Sequence, residues 1–244
     1  KFAVNPEFIP QFKEVLAKYD LKLVGINQHI GSLFMDGKPY VEGVKAILNI
    51  AKQFDDLEFV DLGGGFGIPY EKLNDQPRLD MVELGKQLDE VFEQFVKDYG
   101  KEITFKIEPG RYVSAECGVL LGTVTAVKHN GEDKYIGTDI GFNVLQRPVM
   151  YDSHHDIEVY NDSDNTEDVT VVGNICESGD ILAKHRICPE MHVGDTMAML
   201  DAGAYGYCMA SNYNNRLRPA EVLIRENGEA VLVRERDELE DLTR

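Results

Sequence analysis

An α/β part followed by a mostly β part is the fold class this sequence predicts, with the change near Arg111. Three observations carry it. Residues 1–110 alternate short β-rich apolar runs with longer stretches whose apolar residues recur at helical spacing. From Gly118 onward the chain turns to β-rich runs separated by turn signals, with few long helical stripes. Two Asn-Gly pairs, Asn130-Gly131 and Asn227-Gly228, mark hairpins in that second part. Domains are accordingly expected at 1–112 and 113–244.

In the first part, strands are expected at 1–4, 21–27, 58–63 and 103–108. Between them run three apolar stripes. Phe8, Phe12, Val15, Leu16 and Tyr19 form the first, and Val41, Val44, Ile47, Leu48 and Ala51 the second. Leu84, Leu88, Val91, Phe92 and Phe95 form the third. Strand–helix–strand repetition implies a parallel sheet, and the strands read as the short apolar runs that buried parallel strands require. A (β/α)8 barrel needs eight such units in about 250 residues. Four units therefore leave open a four-stranded open sheet or half of a barrel, and composition alone favours the open sheet. In the second part, strands are expected at 118–127, 135–137, 169–172, 196–200, 222–225 and 230–234. A helix is expected at 204–212, a polar acidic loop at 161–168 and a charged end at 235–244.

The composition narrows the function classes. The chain has 244 residues, 43% hydrophobic and 28% charged, which excludes a mostly disordered protein. No apolar run approaches the ~20 residues of a membrane span. The first residues have no signal-peptide character, and the sequence opens on Lys1 rather than Met. Twenty-five basic residues against 43 acidic ones give a net charge of −18, which disfavours nucleic-acid and anionic-membrane partners. Cys117, Cys176, Cys188 and Cys208 are scattered without a CxxC, so a reducing cytoplasm is expected.

The polar residues of the first part follow its strands, at the face where α/β proteins bind ligands. His29-Ile30-Gly31-Ser32, Gly63-Gly64-Gly65-Phe66-Gly67 and Glu108-Pro109-Gly110-Arg111 stand there. A glycine run lets the backbone approach an anion and aim successive N–H groups at it, and it serves equally as a tight turn. It fits neither the dinucleotide fingerprint nor the P-loop. His29 can stack or exchange protons, Ser32 can donate to phosphate, and Glu108 and Arg111 are also readable as a local ion pair. The second part adds Arg147 to Tyr151, Cys176-Glu177-Ser178-Gly179-Asp180, and Asp201-Ala202-Gly203-Ala204-Tyr205-Gly206. Cys176, His185, Cys188 and His192 match no common zinc spacing, and no metal is expected. His154 and His155 are adjacent, so they point apart on any regular element. The absence of G-x-S-x-G disfavours an α/β-hydrolase.

Taken in order, HIGS, GGGFG, EPGR, CESGD, DAGAYG with SNYN, and RPAE resemble the fold-type III pyridoxal-phosphate decarboxylases, over essentially the whole chain. GFNVLQRPVMY and the stretch from Asp201 to Ile224 resemble the members that act on diaminopimelate. The resemblance implies the C-terminal half of an alanine-racemase-like (β/α)8 barrel followed by a β-barrel or sandwich domain. It implies pyridoxal 5'-phosphate as cofactor, with His29 stacked on the ring and Ser32, Gly64, Gly65, Gly67 and Gly110 holding the phosphate. Glu108 would keep the pyridine nitrogen protonated, the tuning that makes the ring an electron sink. Arg111, Arg147 and Tyr151 would take the distal carboxylate of the substrate, Glu177 its distal ammonium, and Cys176 would return a proton after CO2 loss. Tyr205 would touch cofactor and substrate, and Arg111 would serve both. The implied activity is a cytoplasmic lyase converting meso-2,6-diaminopimelate to L-lysine and CO2, the last step of lysine biosynthesis. A homodimer is implied, with Cys176 and Glu177 reaching across the interface. Alternatives are an ornithine, arginine or carboxynorspermidine decarboxylase, a non-catalytic homologue or fragment, and an open-sheet nucleotide-binding protein. The family's cofactor lysine, in the first barrel strand, has no match here: Lys22, Lys38 and Lys106 lack its context. The sequence is therefore expected to begin at the equivalent of the fifth strand, and residues 1–244 alone to be inactive and poorly soluble.

Overall fold

The computed structural model describes residues 2–243. They divide into two compact units, one running to Pro69 and then over Pro77–Val113, the other comprising Tyr70–Gln76 and the chain from Ser114 onward.

The first unit alternates helices and parallel strands. Its elements are α1 (Ile9–Lys18), β1 (Gly25–Asn27), α2 (Lys38–Ala51), β2 (Phe59–Gly64), α3 (Met81–Tyr99) and β3 (Thr104–Glu108), with α4 (Gly110–Ser114) following. The sheet order is β1-β2-β3, with Ile26 opposite Val60 and Val60 opposite Phe105. The second apolar stripe is buried as expected: α2 covers the sheet with Val41, Val44, Ile47, Leu48 and Ala51. α3 begins where Asp80 accepts from the amides of Val82 and Glu83, and ends at Gly100 in the left-handed conformation (φ 79°). These are the cap chemistries that fix helix ends. Its Leu84 and Phe95 are buried, and Phe92 stacks on Phe105 at 4.0 Å.

One expectation fails here. Residues 2–4 form no strand, and Lys1 lies outside the described residues. An extended apolar run becomes a strand only on a ladder that accepts it, and Phe2 stays 91% exposed. The first stripe does form α1, but Phe8, Val15 and Tyr19 remain exposed and Ile9 is the helix's buried residue. An apolar cleft of about 820 Å³ lies along β1, lined by Phe2, Val4, Phe12, Ile26 and Ile47. On its side away from β2, β1 pairs with no described strand.

The second unit is a six-stranded mixed sheet built from β4 (Leu120–Asn130), β5 (Asp133–Thr138), β6 (Ile157–Tyr160), β7 (Thr166–Val172), β8 (Ile181–Pro189) and β9 (Thr196–Met199). Its order is β6-β9-β4-β5-β7-β8, and β5–β7 is its parallel pair. The outer strands β6 and β8 come together, so the sheet nearly closes around Val124, Ile136, Leu145, Val171, Leu182 and Met197. A short helix α5 (Arg147–Tyr151) precedes β6, and a separate hairpin pairs β10 (Glu221–Ile224) with β11 (Ala230–Arg234). Both Asn-Gly turns are hairpin turns, with Gly131 at φ 65° and Gly228 at φ 82°. The helix expected at 204–212 is absent. Tyr205 takes φ 59° and Gly206 a non-helical ψ of −93°, leaving a 3-10 turn at Tyr207–Met209. The loop expected at 161–168 ends early, because Thr166 already opens β7.

The flanks of the hairpin are tied by one ion pair. Arg218 grips Asp237 with Nε at 2.8 Å and Nη2 at 3.1 Å, and Asn212 Nδ2 donates to the same carboxylate at 2.8 Å. Arg218 above all, then Asn212, holds the Asp237 carboxyl well below the usual carboxylate range. A carboxylate depressed in the fold stabilises it above the unfolded pKa of about 4 and loses that contribution as pH falls through the native value. Asp237→Asn should therefore lower stability by about 2 kcal/mol at neutral pH. Melting curves of the two proteins should converge as pH drops below about 4.

Candidate active site

The first unit gathers most of the sequence-predicted cofactor residues at the C-terminal ends of its strands. β1 leads to His29 and Ser32, β2 runs into the glycine turn, and β3 ends on Glu108 with Arg111 the second residue of α4. The Gly64 amide faces His29 Nδ1 at 3.4 Å, and Arg111 Nη2 donates to Ser32 Oγ at 3.3 Å. Gly64 stands opposite Glu108 in the sheet. His29, Ser32 and Glu108 are exposed on this face. The glycines are a geometric necessity at two positions. A Cβ on Gly64 would overlap the Glu108 carbonyl, and Gly65 holds φ 102° with the Gly31 carbonyl where its Cβ would stand.

Two residues outside the sequence prediction shape this turn. Asp61 Oδ1 accepts from the Gly63 amide at 3.0 Å, and the buried Tyr40 hydroxyl donates to the Gly63 carbonyl at 3.4 Å. Burial, reinforced by Asp61 and Glu108, pushes the Tyr40 hydroxyl far up, so it remains a donor. Tyr40 reads in the sequence as one more apolar position of α2; the acid ahead of the glycine run is the sole trace of Asp61.

The second unit holds the remaining candidates. Arg147 opens α5 but turns inward, with 2% of its surface exposed. Its Nη1 meets His155 Nε2 at 2.7 Å, Nη2 donates to Ser153 Oγ at 3.2 Å, and its Cζ lies 4.3 Å from the Tyr70 ring centre. Tyr151, at the other end of α5, is 61% exposed. Cys176 and Glu177 sit on an exposed turn, whose backbone is tied down by Asp180. The Asp180 carboxylate accepts from Ile175 N at 2.9 Å and Phe142 N at 2.7 Å. Burial pushes Asp180 up, against the pull of those two amides. Glu177 Oε2 accepts from the Tyr213 hydroxyl at 3.4 Å. His154 and His155 do serve different partners: His154 meets Asp156 and Arg186, and His155 meets Arg147 and the Leu200 carbonyl.

The donor set of the first unit suits a phosphorylated pyridine. A serine hydroxyl, a glycine turn whose backbone no Cβ shields, and a guanidinium bonded to that serine are the parts of an anion cradle. Glu108, on the next strand, adds a carboxylate that a protonated ring nitrogen needs.

A parallel strand–helix unit with this cradle, followed by a mixed sheet, defines the class: the chain belongs to the pyridoxal-dependent decarboxylases. The family description "Pyridoxal-dependent decarboxylase, C-terminal sheet domain" matches residues 19–203. Among individual proteins, the chain is 38% identical to diaminopimelate decarboxylase of Methanothermobacter thermautotrophicus, covering 100% of this chain and 58% of that one. It is 41% identical to diaminopimelate decarboxylase of Archaeoglobus fulgidus, over 92% of this chain and 54% of the other. The crystal structure of diaminopimelate decarboxylase from M. jannaschii in co-complex with L-lysine superposes with a TM-score of 0.90 at 33% identity, covering 99% of this chain and 56% of that one. The chain thus spans less than three-fifths of the length of these relatives.

Proposed function

We propose that this chain is the C-terminal part of a cytoplasmic, homodimeric enzyme that decarboxylates meso-2,6-diaminopimelate to L-lysine with pyridoxal 5'-phosphate. The observation that carries the reading is the convergence of His29, Ser32, the glycine turn, Glu108 and Arg111 at the ends of three adjacent parallel strands. In this reading the first unit is the second half of a (β/α)8 barrel, and β1 with its apolar cleft is the seam that a preceding strand covers. The four free cysteines fit a reducing compartment. No described helix is long and apolar enough to cross a membrane.

When bound, the cofactor supplies an electron-poor ring that accepts the electron pair left as CO2 departs. Ser32 and the backbone of Gly64, Gly65, Gly67 and Gly110 hold its phosphate, and His29 covers its ring. Glu108 presents a carboxylate to the ring nitrogen and keeps that nitrogen protonated. Arg111, Arg147 and Tyr151 bind the distal carboxylate, and Glu177 the distal ammonium. Cys176 Sγ holds the proton that replaces CO2, and Tyr205 contacts both cofactor and substrate. Cys176 and Glu177 act from the neighbouring subunit.

CO2 release by the full-length protein loaded with pyridoxal phosphate tests this. Meso-diaminopimelate should be turned over, with kcat/KM for L-ornithine and L-arginine lower by roughly 100-fold or more, the scale set by a site whose polar groups lose their partners. Residues 1–244 expressed alone should release no CO2. Preference for L-ornithine would overturn the substrate, and turnover by the isolated chain would overturn the division of the site.

A further inference from the structure

The most completely specified polar arrangement in the second unit lies around a residue that the function above does not use. His155 is 1% exposed. Its Nδ1 lies 2.6 Å from the Leu200 carbonyl oxygen, and its Nε2 lies 2.7 Å from Arg147 Nη1. A carbonyl only accepts, so Nδ1 carries a proton. A guanidinium only donates, so Nε2 offers a lone pair. The two contacts agree on one state, the neutral ring protonated at Nδ1. A protonated imidazolium would set two N–H groups against each other at 2.7 Å.

Leu200 is itself fixed. It follows β9, and its amide donates to the Asp156 carbonyl at 2.9 Å. The imidazole therefore transmits the position of the sheet to the guanidinium. Ser153 Oγ accepts from Nη2 at 3.2 Å, and the Tyr70 ring lies under Cζ while meeting His155 edge-on at 5.2 Å. An arginine side chain has several rotatable bonds to immobilise, and its planar fork is useful only when its plane is set.

We propose that His155 is a positioning residue for substrate recognition: it sets the orientation in which Arg147 receives the distal carboxylate of a diamino dicarboxylic acid. The proposal rests on the role given to Arg147 above, and the test separates the two.

Steady-state kinetics of the full-length, cofactor-loaded enzyme are compared for His155→Asn, His155→Gln, Ser153→Ala and Arg147→Gln. Asparagine places its amide near Nδ1, keeping the donor to Leu200 and losing the acceptor for Arg147. Glutamine places its oxygen near Nε2 and keeps that acceptor. For His155→Asn, KM for meso-diaminopimelate should rise roughly 10- to 100-fold, the scale of one hydrogen bond to a charged group. His155→Gln should recover most of that loss, and Ser153→Ala should raise KM only a few-fold. The inhibition constant of cadaverine, the five-carbon diamine that has no distal carboxylate, should stay within a factor of two throughout. A purely structural role predicts instead that both constants worsen together, or that the two His155 variants behave alike, and either result overturns the proposal. If Arg147→Gln raises KM while His155→Asn does not, the proposal fails and the reading of Arg147 stands. If Arg147→Gln leaves KM unchanged, both fail. Should His155→Asn not fold, an unchanged KM in Ser153→Ala together with a raised cadaverine inhibition constant in His155→Gln is the overturning result.

Discussion

Replacing Lys72 by methionine should destabilise the second unit by about 3 kcal/mol, the lower end for breaking a buried ion pair, because the lysine is partly exposed. Lys72 Nζ lies 2.8 Å from Glu116 Oε1 and 2.5 Å from Asp201 Oδ1. The Asp201 side chain is 3% exposed, against 31% for that of Lys72. Burial alone would lower the lysine's pKa, but hydrogen bonds to Asp201 and Glu116 outweigh it and the net shift is upward. Burial dominates at Asp201 and pushes its carboxyl up, with Lys72 pulling the other way. The methionine variant keeps the volume and removes the ammonium that holds that carboxylate ionised at low cost. An acid whose native pKa is raised weakens the fold at high pH and recovers as pH falls and it takes up a proton. The loss in melting temperature should therefore be largest at pH 7 to 8 and shrink toward about pH 5. Adding Asp201→Asn should restore most of the stability at neutral pH. A loss independent of pH would show that packing of the lysine stem, not its charge, holds the contact.

This cluster was not legible in the sequence. Lys72 and Asp201 are 129 positions apart, and Arg147 meets the Tyr70 ring from another element. A residue type repeated at local spacing is readable; a partner delivered by tertiary folding is not. The contrast within the first unit makes the same point. The stripe of α2 could be read because burial follows its 3.6-residue period, whereas the equally regular stripe of α1 stays largely exposed, with Phe12 lining the cleft. Strands β6 and β8 escaped for a local reason. The alternation in β8 is broken at His185, which takes φ 45°, where the ladder with β7 shifts register. The segment 204–212 was misread in the opposite sense: alanine and methionine favour a helix, but Tyr205 in the left-handed region ends it. Of the candidate site, His29, Ser32, the glycines, Glu108 and Arg111 were legible because each ends or follows a strand. The supports of the glycine turn, Tyr40 and Asp61, and the partner of Arg147 in the second unit, His155, carry no motif.

The second large effect is expected at Gly64. An alanine there has no room: its Cβ would overlap the Glu108 carbonyl on the neighbouring strand, and backbone cannot swing aside as the end of a flexible side chain can. To admit the methyl group, β2 and β3 must part at the pair Gly64–Glu108, where the cradle and the carboxylate are set side by side. Gly64→Ala should cost about 3 kcal/mol or more, as backbone overpacking does. In the full-length enzyme it should also abolish retention of pyridoxal phosphate, measured as cofactor bound after gel filtration. Gly85→Ala is the matched control. Gly85 lies within α3, and a Cβ there meets nothing within 4 Å. That substitution should stabilise the protein by about 0.5–1 kcal/mol, the helix preference of alanine over glycine, with cofactor retention unchanged. Equal melting temperatures for the two variants would mean that the strands separate at Gly64 without cost, and the close approach of β2 and β3 would no longer explain why glycine stands there.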